Sequence, residues 1–456
     1  MRAIALGLGA ICLLAFVRAF LTIFRHIPLN WNEGWNAFHT ADIAAGRPLY
    51  PDSATATFFT NYPPLSFYVI APIGRAIGDH LIAGRLVAFL SLLAWIVLVA
   101  IAARRLRCSW TSSAFGALVL AAGLFVFSDF YVGVNDPQML GHAMQALGLV
   151  LVLPARRTTA SLAACALLFT AGVLVKNNLI VLPLATVAWL WIDDRRSAWR
   201  LVAFGAAAGI AATLVCVLVF GPQIAAHVFS PRAWILSKAV SMGGLWLLRM
   251  ALPLVVAAWL ATSTGSDRGA QFAVIYAVMA IVASIAFAAG EGVYWNAMFE
   301  AECALALVAA VATDRAPRRL PVALAFLAAP ALALAVNASV HWLSPRFWFD
   351  PRWSEASTAA ADIEFVRSHG SALCEDLALC YWGGKTAPVD FFNLHERLRR
   401  EPGRVEPLIQ RLNAREFGVA QVEDDDRNLG SRFMEALMRN YRVDHMNQWG
   451  TFWVPK

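Results

Sequence analysis

The sequence predicts an all-α polytopic membrane protein with a small α/β domain at its C-terminus. Hydrophobic residues make up 59% of the 456 residues and charged residues only 15%. A soluble domain of this length cannot bury so much apolar side chain, so most of the chain is expected to lie in a bilayer. The composition changes at about Ser344, where a polar tail begins.

Apolar runs of spanning length predict about eleven membrane crossings. The runs lie at about 3–24, 81–102, 111–128, 138–154, 160–175, 178–192, 200–220, 244–261, 271–289, 297–313 and 319–340. The first run is too long for the core of a signal peptide, and no small-residue cleavage site follows it. We therefore expect it to be retained as the first helix.

The connecting loops predict the orientation of these crossings. Arg2 and the basic loops ARRLRCS, PARRTT, DDRRSAWR, GSDRG and DRAPRR fall on one side of the membrane. The positive-inside rule makes that side cytoplasmic, and it accounts for the net charge of +7 without a nucleic-acid partner. The first outer loop, residues 25–80, and the tail then lie outside.

The tail is predicted to form its own domain, residues 344–456, beside a membrane domain of residues 1–343. Stretches of helical period at 352–370 and 407–415 accompany the strand-like pieces FGVAQV and GTFWVPK. Cys374 and Cys380 lie close together in this polar region. Their spacing is compatible with a disulfide outside the cytoplasm, but the sequence alone leaves the pairing open.

A short amphipathic helix at 33–45 is predicted in the first outer loop. Asn32 can cap this helix, and Gly46 can close it. Its apolar stripe, which includes Trp35, is typical of a helix that lies in the membrane interface. Glu33 would then sit at the positive end of the helix dipole, either as a functional carboxylate or merely as a complement to that dipole.

Other polar residues occur at the outer ends of the predicted crossings. Asp136 precedes a helix and could be only its cap, while Lys176, at the tip of a hairpin, could simply extend to the interface. Arg85 lies inside an apolar run, where a charge is costly without a partner. Glu300 and Glu302 begin a later run, and Arg85 or Lys176 could pair with them. Carboxylates and cations on one side together predict a site for a phosphate-bearing amphiphile.

The order of several motifs resembles the GT-C superfamily of polyprenyl-phosphate-sugar-dependent glycosyltransferases. The resemblance is to the bacterial branch that includes protein O-mannosyltransferase-like enzymes and the lipid A aminoarabinose transferase, a glycosyltransferase family 39-like group. The matching segments are NEGW at 32–35, GRPLY at 46–50, NYPPLSFYVIAP at 61–72 and YWNAMFE at 294–300. Arg85, Asp136, Lys176 and Pro183 match further positions of the pattern.

This resemblance implies the GT-C fold and an inverting glycosyltransferase of the bacterial inner membrane. The donor would be a polyprenyl-phosphate sugar, and the acceptor a hydroxyl of a glycan, lipid or protein on the periplasmic side, where the active site and the tail would lie. Glu33 and Asp136 would be catalytic. Lys176, and secondarily Arg85, would bind the donor phosphate. Other expected substrate contacts are Asn32, Tyr62, Asn296 and Glu300.

One departure from the family pattern leaves alternatives open. The acidic pair of the family usually begins with Asp, whereas this chain has Asn32, which cannot accept a proton at neutral pH. Glu33 or Asp136 must then serve as the base, or the chain is a non-catalytic scaffold derived from such an enzyme. A transporter of lipid-linked substrates is a further alternative, although the sequence lacks the repeated halves and broken helices typical of transporters.

No cofactor is predicted with certainty. Members of the superfamily differ in needing a divalent metal, so a metal stays open. Glu33, Asp136 and His39 could supply ligands, but their spacing does not match a closed zinc site.

Overall fold

The computed structural model describes residues 1–51, 57–263, 265, 267–337, 351–423 and 429–456. Most of this chain is helical, and a small sheet lies near the C-terminus, so the predicted fold class is confirmed. The predicted domain boundary between residues 343 and 344 lies outside the described residues.

The helical part of the described chain runs from α1 to α15. Its helices are α1 (Arg2–Ile23), α2 (Asn32–Ala44), α3 (Leu65–Ile77), α4 (His80–Arg105), α5 (Trp110–Phe127), α6 (Gln138–Val152), α7 (Thr159–Val175), α8 (Val181–Asp193), α9 (Arg195–Phe220), α10 (Gln223–Val228), α11 (Leu236–Arg249), α12 (Ala251–Ser263), α13 (Arg268–Phe287), α14 (Phe299–Arg315) and α15 (Arg319–Asn337). Each predicted apolar run coincides with one of these helices, except the run at 244–261, which overlaps both α11 and α12.

Length and apolar composition support fewer crossings than the sequence predicted. Within the described residues, six helical segments are long and apolar enough to span a membrane: α1, α4, α5, α9, α13 and Trp295–Arg315, which includes α14. The helices α6, α7 and α8 and the segment Arg319–Leu332 are apolar but shorter. By length and composition alone, six of the eleven predicted crossings qualify within the described residues, or seven if the bent pair α11 and α12 forms one span.

The single run predicted at 244–261 is wrong. The chain bends by 74° between α11 and α12, which makes this pair a broken span or a re-entrant loop. Pro253 lies in the first turn of α12 and has no N–H to donate to the carbonyl of Arg249, which favours a break here. A broken helix, which the sequence analysis did not find, is therefore present.

The C-terminal domain combines helices with a four-stranded sheet. Its elements are α16 (Pro351–Ser368), β1 (Ala372–Cys374), α17 (Leu377–Trp382), α18 (Phe391–Leu398), α19 (Glu406–Asn413), β2 (Val419–Val422), α20 (Ser431–Asn440), β3 (Tyr441–Asn447) and β4 (Gly450–Pro455). The strand order is β1-β2-β4-β3, with β1 parallel to β2 and the other pairs antiparallel. A disulfide joins Cys374 to Cys380.

The helix predicted at the membrane interface is instead buried. It forms α2, but residues 33–40 are all buried because α3, α4 and α17 pack around it. Trp31, not Asn32, is the N-cap residue. Gly34 is needed where α2 crosses α17, since a side chain there would overlap the backbone of Leu377 and Ala378. The C-terminal domain therefore covers the helix that carries Glu33.

Hydrogen bonds fasten the C-terminal domain to the first outer loop. The indole N–H of Trp382 donates to Asp79 Oδ2 at 3.0 Å, and the backbone N–H of His80 donates to the hydroxyl of Tyr381 at 2.8 Å. The amide of Asn61 donates to Asn393 Oδ1 at 3.0 Å. Asn61 and Asn393 also line a cleft between the domain and the helical bundle.

Candidate active site

The cleft has two connected parts. The domain lobe, about 250 Å³, is lined by side chains of the C-terminal domain that include Glu375, Asp390, Phe392 and Glu423. The bundle lobe, about 330 Å³, is lined by Lys176, Asn177, Asn178, Phe229, Trp234 and Asn296, among others. Asn32, Asn61, Tyr62, Arg232 and Gly292 line both lobes. The cleft is therefore acidic at one end and cationic and apolar at the other.

Lys176 supplies the buried cation of the bundle lobe. It follows the last turn of α7, and its ammonium donates to Gln138 Oε1 at 2.7 Å. The same Nζ lies 3.7 Å from Asp136 Oδ1 and 5.1 Å from the ring centroid of Tyr62. An ammonium has three hydrogens, so this one can still donate to a ligand in the lobe.

Asp136 lies directly behind Lys176 and is 3% exposed. Its Oδ1 accepts the backbone N–H of Gln138, the first residue of α6, at 2.8 Å, although Pro137 and not Asp136 is the N-cap residue. Its Oδ2 has no hydrogen-bond partner among the described residues. A buried carboxylate oxygen without a donor is costly to a fold, and such atoms call for an explanation. Asp136 thus bonds to the start of α6 and keeps one carboxylate oxygen without a hydrogen-bond partner among the described residues.

Gln138 connects the residues of this cluster, and the sequence analysis did not single it out. Its Oε1 accepts from both Lys176 Nζ and Asn296 Nδ2, the latter at 2.9 Å. Its Nε2 donates to the carbonyl of Asn296 at 2.9 Å. The available signal was an amide in the first turn of an apolar helix, where a polar side chain needs partners. Gln138 therefore fixes the positions of Lys176 and Asn296 relative to each other.

Glu33 and Arg85 form a closed, fully buried ion pair. Arg85 Nε and Nη2 donate to the two carboxylate oxygens of Glu33, each at 2.7 Å. The same oxygens also accept the backbone N–H groups of Asn135 and Leu29 at 2.9 and 3.0 Å. The remaining guanidinium hydrogens bind the carbonyls of Ile23, Arg25 and Ile27.

This pair differs from the two sequence predictions made for it. Glu33 was expected at an exposed helix end, yet its side chain is 0% exposed. Arg85 was expected to face the donor phosphate, yet its guanidinium is committed to Glu33 and to the α1–α2 connection. Neither residue lines the cleft. Their contacts fit a structural tie that fixes α2 against α4.

Glu300 lies deeper in the bundle than a substrate contact would. Its Oε1 accepts from the backbone N–H of Leu182 and from the hydroxyl of Tyr276, both at 3.0 Å. Its Oε2 lies 3.5 Å from His142 Nδ1. The expected pairing with Arg85 or Lys176 is therefore wrong, and Glu300 does not line either lobe.

The three residues considered as metal ligands do not converge. Glu33 is bound by Arg85, and the ring of His39 stacks on Phe58 at 4.4 Å between centroids. Burial lowers the pKa of His39 to about 3. Among the described residues, no group of three or more His, Cys, Asp or Glu side chains could hold a metal ion.

The domain lobe contains a carboxyl group whose pKa is raised. Asp390 is 5% exposed, and burial raises its pKa to about 6, although hydrogen bonds from the amide and backbone of Asn393 oppose that rise. Glu375 and Glu423 line the same lobe. Sequence analysis placed none of these three residues in the site, because nothing in the sequence shows that the tail folds back over the first outer loop.

Four of the eight predicted site residues therefore line the cleft: Asn32, Tyr62, Lys176 and Asn296. Asp136 does not line either lobe, but its Oδ1 lies 3.7 Å from the Nζ of Lys176, which does. Glu33, Arg85 and Glu300 lie elsewhere.

Comparison with known proteins gives one family match and several structural likenesses. Residues 61–224 match the family described as dolichyl-phosphate-mannose-protein mannosyltransferase. No curated protein sequence matches the chain significantly. The matched segment contains Tyr62, Asp136, Gln138 and Lys176, but not Asn32 or Glu33.

The crystal structure of ArnT from Cupriavidus metallidurans bound to undecaprenyl phosphate is similar over 99% of this chain and 98% of that one, with a TM-score of 0.65 and 16% identity. Its apo structure gives the same values. The oligosaccharyltransferase of Archaeoglobus fulgidus, tethered to an acceptor peptide, is similar over 98% of this chain and 74% of that one, with a TM-score of 0.51 and 12% identity.

At these identities the structural likenesses establish the fold, while the family match bears on the sequence of residues 61–224. The chain therefore has the fold of the GT-C superfamily, and its resemblance to the branch with protein O-mannosyltransferase-like enzymes and ArnT is confirmed.

Proposed function

We propose that this chain is an inverting glycosyltransferase that moves a sugar from a polyprenyl-phosphate donor to a hydroxyl of an extracytoplasmic glycan, lipid or protein. The observation that carries the proposal is the Asp136–Lys176 pair. Lys176 lines the bundle lobe together with Phe229, Trp234 and Phe287, and its Nζ lies 3.7 Å from Asp136 Oδ1, while Asp136 Oδ2 has no hydrogen-bond partner among the described residues. ArnT, of similar fold, binds undecaprenyl phosphate.

The donor is assigned to the bundle lobe because its lining suits both parts of a lipid phosphate. Lys176 and Arg232 supply positive charge for the phosphate, and Asn177 and Asn178 add amide donors. The aromatic side chains at the opening suit an isoprenoid chain. We assign the polar acceptor to the domain lobe, whose three carboxylates can accept hydrogen bonds from its hydroxyl groups.

The proposed reaction uses one base and one cation. The acceptor oxygen attacks the anomeric carbon while the bond from that carbon to the phosphate oxygen breaks. The hydroxyl proton passes to Asp136 Oδ2, and the electron pair leaves with the polyprenyl phosphate. Negative charge grows on that phosphate during the step, so Lys176 stabilises the transition state more than the ground state. Attack from the opposite face inverts the anomeric configuration.

The same proposal locates the protein in a bacterial inner membrane, with the cleft and the C-terminal domain on the periplasmic side. The Cys374–Cys380 disulfide supports an oxidising compartment for that domain. The basic loops at the other end of the helices support a cytoplasmic side there. A reporter fused after Lys456 should be extracytoplasmic and one fused near Arg195 cytoplasmic; both on one side would refute the orientation.

A non-catalytic scaffold is the second candidate. It is favoured by Asn32, which lines both lobes at the position where the family usually has Asp, and by the complete pairing of Glu33. Incubating the purified protein with a labelled polyprenyl-phosphate sugar separates the two functions. An enzyme releases polyprenyl phosphate in the presence of an acceptor extract and loses this activity in Asp136→Asn. A scaffold binds the lipid without turnover.

A further inference from the structure

A second charged cavity, of about 440 Å³, lies at the other end of the helical bundle. The ends of five helices surround it: α4, α6, α8, α13 and α14. Since α4 rises about 1.5 Å per residue, Arg105 at this cavity lies roughly 30 Å along the helix from Arg85 beside the cleft. Its charged lining residues are Arg105, Arg107, Arg157, Asp193, Asp267, Arg268 and Arg315. The cavity therefore has five cations and two carboxylates.

Two of these arginines are already used by the fold. Arg157 binds Asp193 at 2.7 Å and the carbonyl of Val152 at 2.7 Å. Arg315 binds Asp267 at 2.9 Å and the carbonyl of Leu106 at 2.9 Å. These bonds neutralise the two carboxylates and satisfy helix C-termini. These two carboxylates can neutralise two of the five positive charges that line the cavity.

Three guanidinium groups remain at the rim. Arg268 is 66% exposed and touches Asp193 with Nε alone, at 2.9 Å, which leaves its outer hydrogens for other acceptors. Arg105 and Arg107 are exposed. In the part of the chain that the structure describes, neither side chain has a hydrogen-bond or ion-pair partner. Asp194 and Asp314, next to the lining, contact Arg157 and Arg315 at 3.7 and 2.9 Å and reduce this charge, but the lining itself keeps more cations than carboxylates.

The backbone at Arg107 gives a second, independent observation. Arg107 has φ of 66°, the left-handed conformation that favours glycine. Its N–H donates to the carbonyl of Arg104 at 3.0 Å, and the N–H of Cys108 donates to the carbonyl of Ala103 at 3.1 Å. This is the Schellman pattern that ends α4, in which glycine is the usual residue at this position. An unpaired arginine here is unfavourable for the backbone, so its side chain is expected to have a use.

We propose that this cavity binds the phosphate of an anionic glycerophospholipid, with Arg105, Arg107 and Arg268 as its ligands. Guanidinium groups donate paired hydrogen bonds to phosphate oxygens. Basic pockets between membrane helices on the cytoplasmic side are suited to lipid head groups. The cytoplasmic placement follows from the positive-inside orientation, and the proposal does not depend on the glycosyltransferase function.

Thermal unfolding of the full-length protein in a non-ionic detergent tests this proposal. Short-chain phosphatidylglycerol, phosphatidylcholine and inorganic phosphate are added separately at equal ionic strength. Phosphatidylglycerol should raise the wild-type Tm most. In the variant Arg105→Gln/Arg107→Gly, its apparent affinity should fall roughly ten-fold or more, given the loss of two contacting cations. The glycine relieves the left-handed backbone, so the lipid-free variant should unfold no earlier than the wild type.

Arg318→Gln/Arg319→Gln is the matched control. It removes the same charge from exposed positions at the start of α15, on the same predicted side, and neither residue lines the cavity. The control should keep the wild-type response to phosphatidylglycerol. An equal loss in both double variants would show only a general charge effect and would overturn the site. An equal Tm rise with inorganic phosphate would overturn the lipid as the ligand.

Discussion

Two buried carboxylate–cation pairs lie near the cleft, and they differ in how completely their atoms are bonded. Glu33 and Arg85 share two bonds of 2.7 Å, and backbone groups occupy the other bonding positions of both side chains. Asp136 and Lys176 stand 3.7 Å apart, and one Asp136 oxygen has no described partner. The first pair has no capacity left for a substrate, whereas the second has.

We infer from this difference that a buried charged side chain in a membrane protein is evidence for function only when some of its hydrogen-bonding atoms have no partner. A closed pair offsets its own desolvation through its geometry, and breaking it leaves an uncompensated charge. An open pair is a weaker structural element and a stronger candidate for chemistry. The following substitutions test whether the two pairs differ in this way.

Asp136→Asn should have the largest effect on turnover. Loss of a general base lowers turnover by about 10²–10⁴-fold. Asn keeps an oxygen that can cap Gln138, and Lys176 remains, so binding of polyprenyl phosphate should persist. Turnover and lipid binding are measured on the same purified sample. Asp129→Asn, an exposed change in the same loop, is the control. Full activity of Asp136→Asn would remove Asp136 from the reaction.

Glu33→Gln should mainly destabilise the protein. It leaves Arg85 as a buried cation without a counter-charge, which costs about 3–5 kcal/mol. Asp42→Asn is the control because Asp42 lies on the same helix and pairs with the 60%-exposed side chain of Arg47, so the expected cost is about 0–1 kcal/mol. Denaturation in detergent gives both values. If Glu33→Gln kept its stability but lost turnover, Glu33 would be the general base, as the resemblance in the sequence implied.

Lys176→Ala should weaken both donor binding and turnover. Removal of a charged donor from a developing phosphate anion lowers turnover by about 10²–10³-fold. Lys176→Arg keeps the charge in a different geometry and should retain part of both activities. Lys456→Ala, a change at the exposed residue that follows β4, is the control. Wild-type affinity for polyprenyl phosphate in Lys176→Ala would disprove the phosphate role.

Much of the fold could be predicted because it depends on local composition. Apolar runs located the helices, and the polar tail showed the C-terminal domain. Topology also grouped Asn32, Tyr62, Lys176 and Asn296 correctly, since polar residues at the same ends of successive helices face the same side of a membrane. The fold class needed no knowledge of which side chains touch.

The pairings could not be predicted, because they join distant positions. Glu33 and Arg85 are separated by 52 residues, and nothing in either segment shows that the other completes its bonding. The cover provided by α17 over α2 depends on how the tail folds back. The break between α11 and α12 was hidden because Pro253 stands within a run that is apolar apart from Arg249. Each of these features depends on a tertiary contact or a backbone bend, which the local composition of the sequence does not show.

Asp390 is a third buried carboxylate to compare with Glu33 and Asp136. Its substitution is expected to have the smallest effect, a change in the stability of the protein. Burial raises its pKa from 3.8 to about 6, so the folded protein favours its neutral form. Its contribution to stability is fully present below pH 3.8 and is lost as the pH rises through about 6. Asp390→Asn removes the charged form, keeps an oxygen that can cap α18, and should therefore stabilise the protein by about 1 kcal/mol at pH 8. That gain should shrink as the pH is lowered towards 4.

Unfolding curves across this pH range provide the measurement, with Glu435→Gln, an exposed change in α20, as the control. The control should show no such pH dependence. A gain that is equal at pH 5 and pH 8 would mean that the Asp390 carboxyl group carries no desolvation penalty. The opposite sign, with Asp390→Asn less stable at pH 8, would mean that a cation pairs with this carboxylate. Asp390 would then join Glu33 among the closed pairs, and the domain lobe would have one less group to offer an acceptor.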